Sequence, residues 1–166
     1  MALRLQCDFW TVGGFAYSIL VYDEEYVGSV VDFSTDQNGY VINWQGDGEK
    51  MKLPILTSTC AVNIYEDSAD ITSFIDDLSS AYEGQFRLVI ASSGVAHEWA
   101  GVVLLDAIEY EDRPPDTLPI FRLVASDGIK RLKTVPYKDT GGPYTGSDTI
   151  VGHLTKIISK IGLTDL

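Results

Sequence analysis

Between Trp99 and Lys133 the chain carries two apolar, β-rich runs, W-A-G-V-V-L-L-D-A-I-E-Y and F-R-L-V-A-S-D-G-I-K-R-L-K, around a polar gap with Pro114-Pro115. Proline cannot donate to a sheet ladder, so residues 111–116 must form an exposed connection. Strands are therefore predicted over 97–109 and 118–125, with Asp127-Gly128 turning the chain. Residues 129–135 suit a short strand or a helical turn. The whole stretch reads as a packed β module and holds no catalytic spacing.

Upstream, F-A-Y-S-I-L-V-Y and Y-V-G-S-V-V flank Asp23-Glu24-Glu25, which predicts a β-hairpin over 15–31 behind the Gly13-Gly14 pair. Asn38-Gly39 signals a turn because both residues tolerate positive φ. A strand over 40–44 follows, then a turn at Gly46-Asp47-Gly48, then a strand over 53–64 with an irregular start at Pro54. Ile71, Phe74, Ile75 and Leu78 recur at helical spacing, with Tyr82 extending the stripe, Ser68 or Asp70 as cap and Gly84 as terminator. Asp76 and Asp77 face outward on that helix. A strand over 85–91 leads through Ser92-Ser93-Gly94 into the Trp99 run. Residues 140–147 are a Gly-rich loop, and Ser147 or Asp148 caps a last helix whose apolar face is Ile150, Val151, Leu154, Ile157, Ile158 and Ile161, ended by Gly162. The chain thus divides into a β domain over 1–138, a linker over 139–147 and an amphipathic helix over 148–166. That helix suits the start of a further domain, and the native polypeptide is expected to continue past Leu166.

The 166 residues, 45% hydrophobic and 11% aromatic, bury enough surface to fold without a covalent staple. Cys7 and Cys60 are expected as two buried thiols. Gln6 and Asp8 interrupt any signal-peptide core, and no run approaches the ~20 apolar residues that span a bilayer, so a soluble chain made in the cytoplasm with no membrane partner is expected. A net charge of −12 repels phosphate and argues against nucleic-acid affinity. Acidic residues dominate up to Asp77, whereas Lys130, Arg131, Lys133, Lys138, Lys156 and Lys160 gather late in the sequence. The acid excess suits a solvated surface, or a wall along which DNA slides without sticking.

Constellations that carry chemistry are weak. His97 and His153 stand apart and neither cysteine forms a C-x-x-C pair, so no metal ligand set and no cofactor site is expected. Ser126, Asp127 and His153 could make a hydrolytic triad on paper, without a nucleophile elbow. Gly46-Asp47-Gly48 and Asp139-Thr140-Gly141-Gly142 lack the lysine and helix of a phosphate loop and read as turns. The carboxylate groups Asp23-Glu24-Glu25 and Asp76-Asp77 are assigned to a turn and a wet helix face. Trp44 and Trp99 are expected in the core or on a sheet face. Tyr17, Tyr22, Tyr26, Tyr65 and Tyr82 suit an interface, where tyrosine is enriched. No catalytic, cofactor-binding or metal-binding residue is therefore assigned.

Taken in order, Tyr26-Val27-Gly28, W-Q-G-D-G (44–48), S-T-C-A-V-N-I (58–64), the helix, W-A-G-V-V-L-L-D (99–106) and F-R-L-V-A-S-D-G-I-K-R-L-K (121–133) resemble tail proteins of tailed phages, over roughly 26–138. The resemblance implies a mainly β, α+β fold: a tail-tube-like β-barrel or sandwich with one packed helix and a C-terminal helix. It also implies a virion protein of the tail tip or baseplate hub, a non-enzymatic structural component. Copies would form a homo-oligomeric ring, a trimer by preference, that joins the tail tube to the distal host-recognition apparatus. Its partners would be tube or distal-tail subunits, with DNA passing through unbound. This chain is shorter than large hub proteins and shows no lysozyme or peptidase segment. The competing readings are a carbohydrate- or receptor-binding β-sandwich that uses exposed Tyr and Trp, and a small hydrolase with paired carboxylates.

Overall fold

The computed structural model describes residues 1–45, 57–92, 95–111, 117–129, 138–139, 142–143 and 146–160. Among the described residues the chain is mainly β with two helices. Its strands are β1 (Ala2–Trp10), β2 (Ala16–Asp23), β3 (Val31–Asp32), β4 (Thr35–Gln45), β5 (Thr57–Tyr65), β6 (Phe86–Ser92), β7 (Val95–Val103), β8 (Glu109–Glu111), β9 (Ile120–Ser126), β10 (Lys138–Asp139) and β11 (Gly142–Pro143). Helix α1 (Ala69–Ser80) joins β5 to β6, α2 (Ile150–Lys160) follows β11, and one 3₁₀ turn, Leu105–Ala107, precedes β8.

Nine strands make one sheet in the order β3-β1-β2-β6-β7-β9-β5-β4, with β8 added along β9, while β10 and β11 pair separately. Every pairing in the large sheet is antiparallel except β1 with β3. The expected barrel does not close, because β3 and β4 are the two ends of the hydrogen-bonded path. The chain bridges those ends instead. Phe33 donates its amide to Gln6 at 2.9 Å and Ser34 accepts from the Tyr65 amide at 3.0 Å, so two linking residues touch opposite edges of one curled sheet.

One core fills the concave face. Leu5 and Cys7, then Ile19 and Val21, then Cys60, Val62 and Ile64 alternate inward along their strands, as a half-buried sheet requires. Helix α1 covers one end of this core. Ser68 caps it by accepting the Ile71 amide, and Ile71, Phe74 and Leu78 are buried. Phe74 meets Phe86 and Phe121 edge-on, at 5.5 and 6.4 Å between ring centres. Such pairs add about 0.5–1.5 kcal/mol each beyond the area they bury.

Several elements differ from expectation. The hairpin partner of β2 is the N-terminal strand β1, not residues 26–30. That segment turns instead: the Tyr26 hydroxyl donates to the Ser29 carbonyl, and a side chain at Gly28 would strike the Tyr26 hydroxyl. Asn38-Gly39 is a bulge within β4 rather than a turn, with Gly39 at φ 66° and a register shift between Thr35 and Tyr40. The Trp99 run ends at Val103. Helix α2 is capped by Thr149, whose hydroxyl accepts the Gly152 amide at 3.0 Å, one residue beyond the expected Asp148. Asp77 does not simply face water, since it pairs with Arg4. The turns expected at 46–48 and 93–94, the start of the strand at 53–56, the gap at 112–116, most of 129–135, residues 140, 141, 144 and 145 of the expected 140–147 loop, and Gly162 lie outside the described residues. Gly142–Pro143 of that loop form β11.

Candidate assembly surface

Strand direction gives the molecule two unlike ends. β1 runs away from the α1 end, and β3, parallel to it, continues directly into β4. The β1–β2 tip and the Trp44 end of β4 therefore point the same way, opposite α1.

The tip, Thr11–Phe15, is firmly built. The Thr11 amide donates to the Phe15 carbonyl and the Gly14 amide to the Thr11 carbonyl, both at 2.9 Å. Gly14 sits at φ 79°, where a side chain is strained. Beneath it Phe9, Tyr17 and Tyr40 cluster, with ring centres 5.8–6.2 Å apart, so the hairpin base is anchored across the gap between β1 and β4. Burial, with Glu98 and Tyr17 adding smaller effects, pushes the Tyr40 phenol up to about 12. On this rigid support Trp10 is 75% exposed, Phe15 63%, and Val12 fully. Trp44 is 64% exposed on β4, which pairs with β5 alone among the described residues. An end strand presents unpaired amides and carbonyls, a template for another chain. Trp99, by contrast, is buried.

The α1 end is acidic. Asp23 ends β2 and Glu24 and Glu25 follow it, Glu66 and Asp67 precede α1, Asp70, Asp76 and Asp77 lie on it, and Glu83 follows: nine of the chain's 24 acids. Arg4 answers part of this charge. Arg4 is 6% exposed, and its guanidinium holds Asp23 at 2.9 Å and Asp77 at 2.5 Å and lies 5.0 Å from the Tyr26 ring centre and 5.1 Å from that of Phe74. Asp23 also accepts from the Glu25 amide and from Gln85. The two carboxylate groups that sequence kept apart thus meet, but around a shared cation. Arg4, Asp23, Glu25, Asp77 and Gln85 line a cleft of about 340 Å³, in which the Arg4 cation sits between Asp23 and Asp77. At the cleft edge the Tyr82 hydroxyl donates to Glu24, which with desolvation raises the Tyr82 phenol to about 12.

The paper triad is not assembled as such. Asp127 Oδ2 accepts from the Ser58 amide at 2.6 Å and from the Ser58 hydroxyl at 2.7 Å, and Oδ1 accepts from the Ile129 amide at 3.0 Å. Trp99 Nε1 donates to Ser58 Oγ at 2.8 Å. This buried Trp–Ser–Asp latch ties β7, β5 and the end of β9 together. His97 lies on β7 and His153 on α2. Cys7 and Cys60 are free and buried, and burial raises both thiols, Cys60 to about 12. Among the described residues no group of three or more His, Cys, Asp or Glu is placed to hold a metal, and no helix is long and apolar enough to cross a membrane.

Sequence reading missed Arg4, Ser58 and the apolar tip. The signal for Arg4 was present: one cation inside the alternating run A-L-R-L-Q-C-D-F-W. Of the tyrosines assigned to an interface, Tyr17 packs at the hairpin base and Tyr26 and Tyr82 border the Arg4 cleft. Comparison with protein-family models, curated proteins and solved structures finds no match.

Proposed function

We propose that this chain is a non-enzymatic assembly protein, a component of a phage tail tip or baseplate hub that forms a ring, trimeric by preference, between tail tube and distal apparatus. The observation that carries the reading is the rigid apolar end: Trp10, Val12 and Phe15 on a well-bonded hairpin, beside the open edge of β4. Several large apolar side chains exposed at one end favour an association site, and an end strand offers directional pairing to a neighbour. The acidic α1 end supports the second half of the proposal, since a channel that passes DNA is best lined by charge that repels it. The motif resemblance to phage tail proteins supplies the biological setting and the virion location.

Amide hydrogen exchange on the intact chain across a concentration series tests this. Residues 11–15 and 40–45 gain protection as concentration rises while α1 amides do not change. Unchanged exchange at both segments at every concentration refutes the surface.

A further inference from the structure

A groove of about 420 Å³ lies apart from the Arg4 cleft, on the outer face of β4, β5, β9 and β8, and reaches Tyr40 and Val41. Register sets Asn63 opposite Arg122, and Arg122 opposite Glu109. Asn63 Nδ2 donates to Asp36 Oδ2 at 2.7 Å, and Arg122 Nη1 donates to Glu109 Oε2 at 2.9 Å. Four polar side chains therefore form one row across four strands.

A polar row on an outer sheet face is ordinarily just solvated. Two features set this one apart. The β4 bulge raises a wall on one side, fixed by Asp36 Oδ1 accepting the Asn38 amide at 3.0 Å and by Thr35 Oγ1 donating to the Gly39 carbonyl at 3.0 Å. On the other side β8 forms a second wall, where the Tyr110 hydroxyl donates to Glu66 at 2.8 Å. Between them Ala61 and Ile120 contribute apolar floor beside the polar row. The planar amide and guanidinium are each oriented by a carboxylate, and one bond uses only part of either group's hydrogen-bonding capacity. Glu109 is neutralised by Arg122, and Asp36 leaves a negative charge in the row that disfavours anions.

From this geometry we infer that the groove binds a neutral saccharide. Paired planar groups of fixed orientation suit adjacent hydroxyls, which both donate and accept. The apolar floor of Ala61 and Ile120 suits the C–H face of a pyranose. The role stands beside assembly; the two share Tyr40 and Val41 on β4, so they are told apart at 61–63, 109–111 and 120–122, which the sugar shifts, and at 11–15, which assembly protects. Because the groove is open and Glu109 and Arg122 are exposed, binding is weak, on the order of millimolar.

The test is an amide and side-chain NMR titration of the isotope-labelled chain with methyl glucoside, methyl galactoside, N-acetylglucosamine and lactose, with glucuronate as the charged comparison. At least one neutral sugar shifts resonances of 36–41, 61–63, 109–111 and 120–122 saturably below about 100 mM, and glucuronate binds several-fold more weakly. Asn63→Ala and Arg122→Met each weaken that binding roughly tenfold or more with a dispersed spectrum retained. Arg122 is exposed, so its variant carries the test if Asn63→Ala fails to fold. The inference is overturned if no neutral sugar gives saturable groove shifts, if Arg122→Met binds as the unaltered chain does, or if glucuronate or a lysine-rich peptide binds more tightly than every neutral sugar.

Discussion

Replacing Asp127 by alanine is the sharpest test of how the sheet is locked. The carboxylate accepts three hydrogen bonds, two from Ser58 and one from the Ile129 amide, and Asp127 and Ser58 are both buried. A hydrogen bond to a charged group is worth about 1.5–3 kcal/mol, and a buried donor left without an acceptor costs about 1–3 kcal/mol. The three bonds share one group and do not add independently, so the expected loss is roughly 3–5 kcal/mol. Equilibrium urea unfolding reads this directly. With a slope of about 2 kcal/mol per molar, the midpoint falls by about 2 M. Asp127→Asn keeps one acceptor oxygen and falls between, at about 1–2 kcal/mol. Ser58→Ala strands the Trp99 indole N–H and shares the Asp127 interaction, so the Ser58→Ala/Asp127→Ala pair is non-additive by about 1 kcal/mol or more. A loss below about 1 kcal/mol for Asp127→Ala, or strict additivity of the pair, refutes the latch.

Arg4→Met leaves Asp23 buried without its cation and costs roughly 3–5 kcal/mol in the same assay, whereas Asp77→Asn, at a half-exposed position, costs under about 1 kcal/mol. Gly101→Ala places a methyl against the Trp99 ring and 2.5 Å from the Ser126 carbonyl oxygen, so it lowers stability by more than about 2 kcal/mol or yields insoluble protein on expression. Tyr40 is held neutral by burial, its phenol raised from 10 to about 12. Its contribution to stability is fully present below pH 10 and is lost as pH rises towards 12. Unfolding midpoints measured over that window fall less steeply in Tyr40→Phe than in the unaltered chain.

What sequence revealed depended on how local the cause was. Helix α1 was legible because its stripe and its Ser68 cap lie within one short segment. It ends at Ser80 with Ala81 extended as its C-cap, so Tyr82 and Gly84, expected to extend and terminate it, lie beyond it. Strands β6 and β9 were legible from their β-formers. β1 was obscured because Arg4 interrupts the apolar alternation and a register shift between Leu3 and Leu5 breaks its period. Residues 26–30 have the composition of a strand, but a local hydrogen bond from Tyr26 bends them away. Asn38-Gly39 carries the chemistry of a turn, yet the chain runs on as strand, so the positive φ serves a bulge. Asp127-Gly128 was rightly a turn, whereas its partner Ser58 is 69 residues away and no local pattern joins them. The Arg4 cluster was illegible for the same reason, since Asp77 lies 73 residues from Arg4. Thr149 displaced Asp148 as cap because neighbouring residues of similar capping chemistry compete, and Asp148 instead accepts from the Thr149 amide and from Lys156.

The central claim is assembly through the apolar end, and solution mass tests it most directly. Light scattering behind size exclusion, over a concentration series, should give three or six times the 18.2 kDa chain mass, falling to the single-chain value in Trp10→Ser/Phe15→Ser. A mass of one chain at every concentration, or an oligomer that this double substitution leaves intact, would contradict it.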